Sequence, residues 1–120
     1  MKNISTTIKY KEKEFKLVFD LNVMELIQEE YGSIEKWGAK CEPTKDSEPS
    51  IKAIKFGFAA MLNEGIDIDN EDNNLNEPHL TLNKVGRIIS EIGINETALA
   101  LNKTVTQSTK SLKNELSTKK

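Results

Sequence analysis

One cysteine, one histidine and one arginine in 120 residues close off several chemistries before any pattern is read. Cys41 alone cannot form an intramolecular disulfide, and a lone thiol fits a reducing compartment. His79 stands beside Pro78, remote in sequence from Cys41, so a Cys–His dyad would rest on residue types alone. A loop histidine and a structural thiol are the plainer reading. No apolar run approaches the roughly 20 residues of a membrane helix. The opening MKNISTTIKY also lacks the apolar segment of about 7–15 residues that marks a secretion signal. The chain is expected to stay in the cytoplasm where it is made, away from membranes. Its six glycines form no phosphate-binding loop.

What is present suits one modest core. A chain of 120 residues buries about two-thirds of its unfolded surface, and 37% hydrophobic against 30% charged residues leaves polar segments outside the core. A net charge of −2 gives no electrostatic case for nucleic acid. The charge is unevenly spread. Residues 1–79 hold ten Lys and no Arg against sixteen acids (10 − 16 = −6), and residues 80–120 hold six Lys and Arg87 against three acids (7 − 3 = +4). A basic C-terminal third suits an acidic partner, although a solvated end has the same composition.

Ile4, Thr6, Ile8 and Tyr10, then Phe15, Leu17 and Phe19, alternate with polar neighbours around a short KEKE, the pattern of a β-hairpin with one buried face. Such a hairpin is marginal alone and needs a helix over it. The helix follows at once: Asp20 or Asn22 can cap it, Val23, Met24, Ile27 and Tyr31 form one stripe, and Gly32 stops it. Ser33 caps a short turn, IEKW, ended by Gly38. Residues 39–50 hold two prolines and read as a loop. Ser50 then caps a helix with Ile51, Ile54, Phe58, Met61 and Leu62 on one face and Gly65 as its stop, while Phe56 points away from that face. DIDNEDNNLNEP reads as a polar connection. Thr81 caps LNKVGRIISEIG, Gly93 ends it, and Ile94, Asn95 and Leu99 fit a hydrophobic staple opening a further helix through ETALAL. From 102 the chain is polar, with Leu101, Val105, Leu112 and Leu116 too sparse for a helix in isolation. The expected fold is α+β, mainly α: an N-terminal β-hairpin packed on three to four helices, a single globular domain over 1–101, and a flexible polar tail over 102–120.

Other chemical motifs fail on inspection. Asp67, Asp69 and Glu71 have the spacing that opens a calcium loop, but Asp72 stands where glycine is needed and Pro78 where a bidentate glutamate is needed. Ser33-x-x-Lys36 lacks the companion motifs of penicillin-recognising enzymes. VGRIISEIGINETALALNKTV outlines a helix-turn-helix around Gly93, yet Ile89 sits where a small residue is wanted and the second helix lacks arginine, which speaks against DNA reading. No cofactor, metal or catalytic residue is expected, and the chain reads as non-enzymatic.

The order of elements, with FDLNVMELIQEEYGSIEKW, IKAIKFGFAAMLNEG and LTLNKVGRIISEIG, resembles the tail assembly chaperones of long-tailed bacteriophages and prophages over about residues 8–101. The resemblance implies a non-enzymatic protein of the bacterial host cytoplasm. It would bind the tape measure protein, help recruit tail tube protein, self-associate and be missing from the mature virion. In many members a ribosomal frameshift gives a longer form. The family has no catalytic motif to transfer. Candidate partner-binding residues are the spare apolar groups Trp37, Phe56, Leu112 and Leu116, of which Trp37 and Phe56 equally suit a small core. Another phage structural factor, such as a head–tail or tail completion protein, or a helix-turn-helix regulator, remains the alternative.

Overall fold

The computed structural model describes the backbone of residues 5–118 and the side chains of residues 6–109. Strands β1 (Ser5–Tyr10) and β2 (Lys13–Val18) form an antiparallel hairpin in which Thr6 faces Leu17 and Ile8 faces Phe15. Its two turn residues, Lys11 and Glu12, both have positive φ (48° and 67°), the geometry whose twist matches that of the flanking strands. The alternation works as read: Tyr10, Phe15 and Leu17 are buried, and Phe19 joins them just past the strand. Ile4 lies outside the described residues.

Five helices follow: α1 (Leu21–Tyr31), α2 (Ile34–Lys40), α3 (Ile51–Asn73), α4 (Leu82–Ile92) and α5 (Ile94–Thr118). The architecture is the mainly helical α+β fold that the pattern implies. Asp20, Ser33, Ser50 and Thr81 cap α1 to α4, each side-chain oxygen accepting a backbone N–H three residues on. Gly32 and Gly93 close α1 and α4 with positive φ (93° and 97°).

Two expected stops are not stops. Gly38 lies inside α2, and α3 runs through Gly65 for two further turns before Asn74 caps it in the left-handed region at φ 55°. At Gly65 the reason is tertiary. A β-carbon at Gly65 would stand 2.6 Å from the Lys16 carbonyl oxygen, so this glycine lets α3 lie against the backbone of β2. The supposed acidic connection is thus largely helix, with Asp69 held 2.8 Å from Lys16 Nζ.

α3 is the central element, packing against β2 and all four other helices. Ala53, Ile54, Phe58, Met61 and Leu62 on it are buried with Val23 and Ile27 of α1 and Val85 and Ile88 of α4. Two asparagines of α3 fasten the segment leading back to α4. Asn63 donates to the Leu80 carbonyl (3.2 Å) and accepts from its N–H (2.8 Å), and Asn70 does the same for Glu77 (3.0 Å each). Seven helical residues rise about 10.5 Å and three extended residues span about 10 Å. The two amide groups therefore meet a strap running antiparallel to the helix at matched spacing.

The last helix also departs from expectation. α5 starts at Ile94 with no intervening cap residue, the Gly93 carbonyl accepting the Thr97 N–H at 3.0 Å. The staple is not made, because Leu99 is 63% exposed. Nor does helix end near 101. α5 passes through to Thr118, with Leu101, Thr104 and Ser108 buried, and the Thr104 hydroxyl meets that of Thr6 on β1 at 2.7 Å. A buried threonine can therefore carry the helix across a stretch that composition marks as polar. Among the described residues no helix is long and apolar enough to cross a membrane.

Candidate functional site

The exposed side of α4 sets Asn83, Gly86, Arg87 and Ser90 at i, i+3, i+4 and i+7, one face of the helix. Ile51 and Lys55 from the start of α3, Tyr10 at the end of β1 and Lys11 of the hairpin turn line the same surface. Together with Glu91 and Ile94 they line an open groove of about 820 Å³. Lys55 lies across Gly86, its Nζ 3.4 Å from where a β-carbon would be. Lys11 and Lys84 place their ammonium groups 5.4 and 5.2 Å from the buried Tyr10 ring, a cation–π arrangement that orients both. Lys11, Lys55 and Arg87 against Glu91 leave the lining at 3 − 1 = +2 in a chain of net charge −2. Among the described residues none of these three cations is held in a salt bridge.

The residues singled out in the sequence lie elsewhere. Trp37 is 3% exposed: its indole N–H donates to the Ala53 carbonyl at 2.9 Å, and its ring covers Gly57, where a β-carbon would stand 2.2 Å from the indole. Buried this way, it has no surface through which to dock a partner. Phe56 is half-buried and meets Tyr31 edge to face (centroids 5.6 Å, 72°), so the second apolar side of α3 secures the end of α1. The side chains of Leu112 and Leu116 lie outside the described residues.

The polar groups have structural duties. Asp20, besides capping α1, shares a hydrogen bond with Glu64 of α3, and Asn22 donates to Glu64 at 3.0 Å. The Asp20 contact and then burial raise the Glu64 carboxyl to about 7, with Asn22 opposing. His79 meets Asp67 at 2.7 Å, not a thiol. Cys41 is pushed up to about 12 by burial and then by Glu42, which leaves it a poor nucleophile. Asp67, Asp69 and Glu71 sit on the last turns of α3, not in an ion-binding loop. Among the described residues no three His, Cys, Asp or Glu side chains are grouped to hold a metal ion.

The groove was missed because its parts come from the hairpin turn, the start of α3 and one side of α4. The usable signal was the charge imbalance that placed Arg87 in a basic C-terminal third. Comparison with protein-family models, curated proteins and solved structures gives no match.

Proposed function

We propose that this chain is a non-catalytic assembly chaperone of a phage or prophage tail, acting in the host cytoplasm by binding the tape measure protein and helping to recruit tail tube subunits. The role comes from the resemblance. The strings that carry it form the exit of β2 with α1 and α2, the first two-thirds of α3, and α4 with its caps. The observation that carries the protein-binding part is the groove. It is wide and open, its wall includes Ile51 at 54% exposure, and its cations are not salt-bridged among the described residues. Such a surface suits a length of polypeptide better than a small substrate, which calls for an enclosed cavity. Self-association belongs to the same reading, since repeated moderate contacts along a long partner gain strength from multivalency.

Co-expression with the tape measure protein encoded beside this gene tests the proposal. Retention of the chain on a tagged tape measure protein is expected. No retention at micromolar concentration overturns it, as does a gene neighbourhood without tail tube and tape measure genes.

A further inference from the structure

The groove has chemistry that selects among polypeptides, and we infer that it takes an acidic amphipathic helix of a partner protein. Its lining includes the apolar side chains of Ile51 and Ile94 and the cations Lys11, Lys55 and Arg87. A helix with an apolar stripe flanked by carboxylates matches that lining: aliphatic residues for the isoleucines, acids for the cations. An added strand is disfavoured, because the hairpin contributes only Tyr10 and the turn residue Lys11 to the lining, so no strand edge runs along it. Nucleic acid is disfavoured too. Tyr10 is 7% exposed and offers no face for base stacking, while Ile51 and Ile94 present hydrocarbon where a phosphate chain would lie. Gly86 supplies the room: with no side chain of its own, only the flexible Lys55 overlies α4 there, and that side chain can swing aside and pair with an acid. This inference rests on the groove being a protein-docking surface, but not on the partner being a tape measure protein.

The test uses the full chain and a fluorescein-labelled synthetic helix carrying one leucine stripe with glutamates on both flanks, read by fluorescence anisotropy. Binding on the order of micromolar is expected, with weaker binding as salt rises. The same helix with lysines replacing glutamates should not bind. Gly86→Leu fills the groove from a helical position that clears the core, and Lys55→Glu with Arg87→Glu reverses its charge; each should weaken binding by about tenfold or more. A thermal melt of Gly86→Leu no lower than wild type shows that the groove and not the fold was changed. Equal binding of both helices, indifference to both variants, no binding at all, or tighter binding of duplex DNA or single-stranded RNA overturns the inference. Tape measure retention that survives Gly86→Leu removes the groove and leaves the chaperone reading. Binding of the glutamate helix without tape measure retention does the reverse.

Discussion

Gly57 and Gly86 both sit inside helices, and both are overlain by a long side chain from another element, yet the two places are opposites. At Gly57 the cover is the Trp37 indole, itself fixed by its bond to the Ala53 carbonyl, and a β-carbon would lie 2.2 Å from the ring. At Gly86 the cover is the tip of Lys55, and the nearest approach is 3.4 Å. One glycine is a socket filled by a rigid aromatic; the other is a floor under a movable cation. Close packing of the first kind secures α2 to α3 but leaves nothing to bind with. The second kind contributes little to folding and leaves a surface that something else can occupy. In this chain Trp37, the sequence feature that looks most like a binding group, serves the core, and the open groove is lined by residues with no obvious signature.

Removing the filled socket should have the largest effect. Trp37→Ala loses the ring and its hydrogen bond, so a loss of about 3–5 kcal/mol is expected, measured as the urea midpoint followed by circular dichroism. A stable Trp37→Ala protein that binds a partner poorly would reverse the assignment and make Trp37 a docking residue. Gly57→Ala comes next, costing about 1–3 kcal/mol or more by overpacking, and Gly65→Ala belongs with it because its obstacle is the Lys16 backbone carbonyl at 2.6 Å, which cannot rotate away. Combining Gly57→Ala with Trp37→Ala should cost less than the sum of the two, since the clash needs both partners. Strict additivity would mean that the indole does not occupy the socket in solution.

These glycines also show where sequence reading succeeds and where it stops. Caps are local: Asp20, Ser33, Ser50 and Thr81 act on an N–H three residues away, so the starts of α1 to α4 were legible. A glycine is ambiguous, because the same residue serves a left-handed helix end or a close approach between elements. Gly32 and Gly93 are ends, Gly57 and Gly65 are approaches, and only the partner across the contact distinguishes them. Taking Gly65 for an end also makes the rest of α3 a loop and hides Asn70, the second of the two asparagines that hold the strap. The polar composition after 101 conceals the continuation of α5 beyond ETALAL in the same way, since Thr104 and Ser108 are buried by tertiary packing that composition cannot announce. The groove was the least legible feature, being a property of three elements brought together.

A smaller effect should separate the packed side of α3 by pH. Glu64 is raised to about 7, first by its hydrogen bond with Asp20 and then by burial. Its folded value lies above its unfolded one near 4.5, so the folded state binds the proton more tightly. The stabilisation is fully present below about pH 4.5 and is lost as pH rises through about 7. Unfolding midpoints should therefore fall modestly across that window, and Glu64→Gln, which cannot titrate, should flatten the decline. An unchanged slope in Glu64→Gln would mean that the carboxyl pair does not form. The groove, whose lining includes neither Asp20 nor Glu64, should show no matching change in peptide binding.

The smallest expected change is at Gly86, and it is the control that gives the others meaning. Any glycine inside a helix gains up to about 1 kcal/mol when replaced by alanine, because alanine restricts the unfolded chain and favours the helix. Gly57→Ala and Gly86→Ala share that gain, so the difference between their unfolding free energies isolates what each β-carbon meets. At Gly86 it meets only the end of the Lys55 side chain, Nζ at 3.4 Å and Cε at 3.5 Å with Cδ at 4.0 Å, which a lysine relieves by a small torsional change. Gly86→Ala should thus be neutral or stabilising, and one methyl at the floor should weaken helix binding less than Gly86→Leu does. If Gly86→Ala instead destabilises as Gly57→Ala does, then Lys55 is packed down as firmly as the indole. The groove is then closed, and the contrast between a filled and an open glycine disappears.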